Sequence, residues 1–314
     1  MLIALGMPLR GKPRPWQHFR VPALMISAYE IIRNERIWRE IRGKGGLHEY
    51  LGYDGIIFLD SGGFQAMKYN IDIDAEKLIN IYRMIDADYY FSLDYPSISA
   101  KENIEEKISR TIKNFEKIRE YVKNVIPIVH PDIERALREY IAYEKYNPEY
   151  IAIGGLVPLM LTTKGLLNGR RKTIELIAEI RKMHKGFLHI MGLGAPTIIP
   201  MLKILGCTST DSSAWRLKAA HGKIMLLNGG ERYISNRNAN FGIVPLNEEE
   251  MKFIEKLKCP VLEEYDWSDL AGSFEVRALF NAWITLYASS SNYYQINGPF
   301  SKLLEYAKLL IDYK

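Results

Sequence analysis

The feature that most narrows the fold of this 314-residue chain is a repeated grammar: a short apolar run, then polar or glycine residues, then a helical segment. The run Gly55-Ile56-Ile57-Phe58-Leu59 breaks into Asp60-Ser61-Gly62-Gly63-Phe64-Gln65. Further on, 88–93 ends in Asp94, 124–129 in His130, 150–153 in Gly154-Gly155, 187–191 in Gly192-Leu193-Gly194, and 206–210 in Asp211. Two earlier runs, 1–7 and 21–27, complete the series. Apolar residues at helical spacing fill 29–42, 74–85, 101–123 (with a capping pattern near Ser99), 133–146, 173–184 and 196–205. Apolar runs of about five to seven residues alternating with helices predict a parallel sheet with crossover helices.

No glycine-rich loop follows the first run, as a Rossmann sheet would require. The number and length of the repeats predict instead an α/β fold of the (β/α)8 TIM-barrel type, with residues 1–250 as the catalytic barrel. On this reading 206–211 is a seventh βα edge, and 221–228 a further strand. Residues 251–314, with helical segments at 251–257, 274–288 and 300–313, form an α-helical C-terminal extension packed on the barrel. Ser27, Asp60, Asp94, His130, Gly154, Gly192 and Asp211 then share the rim where such barrels carry their chemistry.

Composition sets wide bounds. Hydrophobic residues make up 47% and charged residues 25%, which supports a full core and excludes global disorder. The net charge of +5 permits a nucleic-acid partner without demanding one. Two cysteines, Cys207 and Cys259, exclude a disulfide framework and point to the cytoplasm. The apolar start, Met1 to Met7, is too short for a signal core and fits a first strand. No run approaches the ~18 apolar residues of a membrane helix, so no membrane partner is expected.

Asp60, Asp94 and Asp211 end different predicted strands. Two carboxylates facing one sugar can break a glycosidic bond: one attacks or stabilises the anomeric carbon, the other moves a proton. A carboxylate nucleophile would keep the sugar on the enzyme as a covalent ester. The glycine pairs let a flat ring lie against backbone groups, Phe64 can stack on it, and a carboxylate, which only accepts, reads the donor-rich edge of guanine. Each residue also has a plainer reading. Asp94 and Asp211 can cap turns, His130 can be a hydrogen-bonded rim residue, and Met191 can fill the barrel.

Taken together, Gly45-Gly46-Leu47-His48, Asp60-Ser61-Gly62-Gly63-Phe64-Gln65, Ile153-Gly154-Gly155-Leu156, Met191-Gly192-Leu193-Gly194-Ala195-Pro196, and Asp211 twenty residues after Met191 resemble the signature of the tRNA-guanine transglycosylases. The resemblance covers roughly residues 20 to 285. It implies a (β/α)8 enzyme that exchanges a guanine base for a 7-deazaguanine such as preQ0 without cutting the strand. It implies Asp211 as nucleophile and Asp60 as general acid/base. Ser61, Phe64, Gln65, Asp94, His130, Gly154, Gly155, Leu156, Met191 and Gly192 would line the base pocket, with the free base as small-molecule partner and no cofactor.

The chain departs from the family pattern in places. His130 stands where the family usually has Gln. The family's zinc run, Cys-x-Cys-x-x-Cys with a later His, is reduced to Cys259, and Asn281 falls at the His position. One thiol cannot make a four-ligand zinc site, so no metal is expected, and packing of Trp267, Phe274 and Trp283 would replace it. Thr210-Asp211-Ser212-Ser213-Ala214-Trp215 and Ser273 to Leu279 are similar to the DNA-modifying, DpdA-type branch, and no RNA-binding domain follows the barrel. DNA is therefore the favoured polymer and tRNA the alternative. A non-catalytic nucleic-acid-binding subunit and a hydrolase of free nucleosides are further alternatives. Partner subunits or a homodimer are the expected protein partners. Basic groups that suit phosphates lie at Arg10, Lys12 and Arg14, at Lys164, Arg170, Arg171 and Lys172, and around Arg216, Lys218, Lys223, Arg232 and Arg237 after the nucleophile, the last group adjoining the chemistry.

Overall fold

A computed structural model describes residues 1–69, 71, 73–96, 103–161, 166–236 and 243–312. Nine parallel segments form its main sheet: β1 (Leu2–Gly6), β2 (Ala23–Ser27), β3 (Ile56–Asp60), β4 (Tyr89–Phe91), β5 (Val125–Ile126), β6 (Ile128–Val129), β7 (Tyr150–Ile153), β8 (Phe187–Ile190) and β9 (Ser209–Ser212). β1 pairs with β2 on one side and β9 on the other, β4 with β5, and β6 with β7. β5 and β6 are one stave divided at Pro127, which has no N–H for the ladder. The carbonyl of Pro127 still accepts from Ala152 N at 2.9 Å, so the stave stays bonded. The nine segments thus form the eight staves of a (β/α)8 barrel.

The β1 run and the β9 run are neighbours although they are the first and last staves in sequence. The edge 206–211, read from the sequence as a seventh unit, is therefore the eighth stave, whose register with β1 (Ala4 opposite Asp211) closes the barrel. The run 221–228 is not a further stave. Lys223–Met225 (β10) pairs antiparallel with Glu231–Tyr233 (β11) in a separate hairpin.

Alternation sorts side chains between the two faces of the staves. Ala4, Ala23, Met25, Phe58, Phe91, Ile126, Ile128 and Ala152 fill the barrel interior, so it is a packed core. The opposite faces, with Leu5, Leu24, Ile57, Leu59, Ile151 and Leu188, pack beneath the surrounding helices.

The helical segment 29–42 breaks in two, Ala28–Arg33 and Glu35–Lys44. Asn34 is extended at the break, and its side chain accepts from Arg36 N and Ile37 N. Leu47–Leu51 and Gly63–Lys68 form short helices that six or fewer residues cannot announce through periodicity. Helix Ile104–Arg119 is capped by Asn103; the capping pattern near Ser99 lies outside the described residues. Leu166–Met183 starts earlier than its apolar spacing suggests.

After the barrel come Glu248–Lys256, Pro260–Glu264, Trp267–Gly272, Phe274–Ser290 and Pro299–Asp312. Phe274–Ser290 is buried around most of its circumference and packs on helix Ala214–Ala220, β10 and β1. Among the described residues, no helix is long and apolar enough to cross a membrane.

Candidate active site

β3 carries Asp60 to the barrel mouth, in register with Ser27 of β2. The next turn folds back at Gly62, whose φ of 77° suits glycine, and a Cβ there would lie 2.5 Å from that of Tyr29. This turn delivers Gly62 N to Asp60 Oδ2 at 3.0 Å. Burial, then the negative charges of Asp94 and Asp211, push the Asp60 carboxyl up to about 7; the Gly62 N–H opposes them only in part. The three carboxylates therefore share one field at one mouth.

β8 and β9 place the third carboxylate. His189, Ser209 and Asp211 share one face by strand alternation, with His189 opposite Ser209 in register. His189 Nδ1 lies 2.9 Å from Ser209 Oγ, and Nε2 lies 3.2 Å from Asp211 Oδ1. The contact to a carboxylate assigns the proton to Nε2, leaving Nδ1 to accept from the serine hydroxyl. The ring packs near Phe58 and Phe91, with centroids 5.5 and 5.1 Å away. Gly192, at φ 74°, turns its N–H to the same Oδ1 at 2.8 Å. Both donors thus meet Oδ1, and among the described residues none meets Oδ2.

Asp94 follows β4 and His130 follows β6. His130 Nε2 meets Asp94 Oδ2 at 2.9 Å, and Nδ1 meets both oxygens of Glu139 at 3.1 Å. Glu139 also accepts from His130 N at 2.8 Å and from Arg135 Nε at 2.9 Å. Burial works against the charged imidazole, yet Glu139 and Asp94 outweigh it and raise the His130 pKa. Burial likewise works against the Glu139 anion, and His130 and Arg135 win, holding it below the usual range.

The other predicted pocket residues have differing surroundings. Phe64 is 56% exposed and open for stacking. Gln65 Oε1 is buried and has no hydrogen-bond partner among the described residues. Gly154 is buried beside Met191, whose sulfur would lie 3.5 Å from a Cβ there; Gly155 and Gly192 are exposed. Met191 packs on the barrel core. Ser61 is fully buried, its Oγ accepting from Gly63 N at 3.2 Å, and Leu156 is buried in the helical layer.

The basic residues after Asp211 have partners inside the fold. Arg216 donates to the Lys12 carbonyl and lies over the rings of Trp215 and Phe274. Lys218 and Lys223 share Glu231, and Arg232 makes a forked pair with Glu250. Arg237, like Lys164, lies outside the described residues. His189, Glu139 and Arg135 were missed from the sequence. The signal for His189 was its position two residues before Met191, on the inward face of a strand.

The residues at the family's zinc position do not fit that metal. Asn281 Oδ1 accepts from Met225 N at 2.7 Å, and Nδ2 donates to the carbonyls of Trp215 and Lys223 at 3.1 and 3.0 Å. Burial pushes the Cys259 thiol up to about 11, away from the thiolate a zinc ion needs. Among the described residues no group of three or more His, Cys, Asp or Glu side chains is placed to hold a metal.

A closed parallel barrel with three carboxylates at its C-terminal mouth defines a class, and the family model for queuine tRNA-ribosyltransferase matches residues 13–286. The chain belongs to that family. It is 27% identical over 232 residues to the tRNA-guanine(15) transglycosylase of Methanosarcina mazei, covering 69% of this chain and 45% of that protein. It is 30% identical over 211 residues to the enzyme of the same name from Nanoarchaeum equitans, covering 65% of this chain and 49% of that one. An uncharacterized protein of Sulfolobus islandicus rod-shaped virus 1 is 28% identical over 236 residues, covering 73% and 70%. The chain spans about half the length of the archaeal transglycosylases it matches.

Proposed function

We propose that this chain is a base-exchange transglycosylase that replaces guanine in a polynucleotide, DNA in preference to tRNA, by a 7-deazaguanine such as preQ0. The observation that carries the reading is the asymmetry of the Asp60/Asp211 pair. Asp211 has one oxygen tied by two donors and the other met by none among the described residues, while Asp60 titrates near neutrality.

In the first step Asp211 Oδ2 attacks C1′ of the target nucleotide. The C1′–N9 bond breaks, its electron pair stays on N9, and Asp60 delivers a proton to the leaving base. The new C1′–Oδ2 ester keeps the strand intact. In the second step the incoming base gives its N9 proton to Asp60, and N9 attacks C1′. The electron pair of the C1′–Oδ2 bond returns to Asp211, where Gly192 N–H and His189 Nε2–H stabilise the carboxylate through Oδ1. A group titrating at about 7 suits both proton transfers.

DNA is favoured by the wording of 210–215 and 273–279. The names of the archaeal relatives support tRNA as the second reading. The protein is incubated with labelled preQ0 and, separately, guanine-containing duplex DNA, single-stranded DNA and tRNA. Label entering DNA supports the proposal, label entering tRNA alone moves it to the second reading, and label entering no polymer refutes both.

A further inference from the structure

Four charged side chains of alternating sign run back from the base pocket into the protein: Asp94, His130, Glu139 and Arg135. The His130 and Glu139 side chains are 1% and 0% exposed, whereas Asp94, at 12%, is the member that opens to the mouth. A neutral histidine could satisfy only one of these carboxylates, because a neutral ring has one donor. Here both ring nitrogens face a carboxylate, and Glu139 also takes the His130 backbone N–H. Both nitrogens are therefore spent inside the protein. The helix Ile133–Glu144 supplies the far half of the chain, with Arg135 and Glu139 one turn apart; Arg135 also reaches the Tyr95 carbonyl at 3.1 Å, next to Asp94.

We propose that His130 is a positioning residue that acts through Asp94: as a buried imidazolium held by Glu139 and Arg135, it keeps Asp94 a carboxylate whose Oδ1 selects bases carrying the adjacent N1–H and 2-amino donors. The proposal rests on the transglycosylase reading and adds to it a determinant of base choice.

The other groups that face Asp94 are a like charge and two phenols. Asp60 is negative when ionised and lies close enough for each to feel the other. Tyr82, from helix Ala75–Tyr82, and Tyr143, from Ile133–Glu144, face the same cluster as neutral phenols whose ionisation is pushed far up by burial and by these carboxylates. His130, backed by Glu139 and Arg135, supplies the compensating positive charge. Among the described residues no donor meets Asp94 Oδ1, which leaves it for a ligand. A carboxylate there accepts from guanine or a 7-deazaguanine; hypoxanthine, lacking the 2-amino group, offers one donor fewer. Were Asp94 protonated, it would present a donor to another donor and the preference would fade.

The test is equilibrium binding of guanine and of hypoxanthine to wild type, His130→Gln and Glu139→Gln, from pH 5 to 8, with thermal unfolding recorded for each protein. Glutamine keeps a donor for Asp94 but carries no charge. Wild type is expected to hold its guanine preference across the range. Both variants are expected to lose guanine affinity about tenfold as the pH falls across this range, and to lose discrimination with it. If His130→Gln does not fold, Glu139→Gln carries the test alone, with the same expected direction. Variants that melt earlier yet bind with the wild-type pH profile and base preference would overturn the assignment while leaving the transglycosylase reading intact. Wild type that binds neither base would overturn both.

Discussion

Asp60 and Asp211 are the same amino acid made unlike by what surrounds them. Asp60 meets one backbone donor and two neighbouring negative charges, so it holds its proton to about pH 7; Asp211 meets two donors on one oxygen. The Asp60 shift has a consequence for stability. Its folded pKa lies above the unfolded value of about 4, so between pH 4 and 7 the unfolded chain sheds a proton that the folded one keeps. Stability from this group is greatest at low pH, falls through that window as pH rises, and is lost above 7. Asp60→Asn is therefore expected to be more stable than wild type in thermal unfolding at pH 8, by ~2 kcal/mol after allowance for water at the mouth, with the gap closing towards pH 4 and base exchange abolished. His189→Ala is expected to lower kcat by about a hundredfold with little change in KM, since both its ring nitrogens are engaged by Ser209 and Asp211. Asp60 was legible as a candidate because it ends the apolar run 55–59, and Asp211 because the resemblance singled it out. His189 was not, because an inward histidine in mid-strand looks like core. Nor could the sequence reveal that Arg216, Lys218 and Arg232 have partners inside the fold, since it displays charge without its neighbours.

At the scale of elements, helix Phe274–Ser290 does work that its helical spacing does not disclose. Asn281 bonds the Trp215 carbonyl one turn beyond Asp211 and two backbone groups of β10, while Arg277 donates to the carbonyls of Ala219, Leu270 and Ala271. Trp215 in turn donates to the Gly6 carbonyl at 3.1 Å, at the end of β1. Polar side chains thus tie helix Phe274–Ser290 to the segment that follows Asp211. Trp267, Phe274 and Trp283, expected to replace the zinc, are only partly buried around this centre. Asn281→Ala removes a side-chain partner from three backbone groups, those of Trp215, Lys223 and Met225. It is expected to cost about 3 kcal/mol in denaturant unfolding, far more than Trp267→Ala on the partly exposed flank. Strands were legible here through their apolar runs, but the helices Leu47–Leu51 and Gly63–Lys68 were not, being too short to show a period.

For the whole molecule, barrel closure gathers residues from distant parts of the chain at one mouth. Asp60 and Asp211 stand 151 positions apart in sequence (211 − 60), with only the staves β2 and β1 between theirs. The donors at the family's zinc position predict that the fold does not depend on metal: the melting temperature is expected to be the same with and without a strong chelator, and a drop on chelation would contradict this. The central claim is that Asp211 becomes joined to the sugar. It is tested most directly by intact-protein and peptide mass spectrometry after incubation with guanine-containing DNA or tRNA in the absence of an incoming base. The account predicts a nucleic-acid adduct on the peptide bearing Asp211, lost in Asp211→Asn and released when base is added. An adduct that persists in Asp211→Asn, or base exchange by that variant at the wild-type rate, would contradict it.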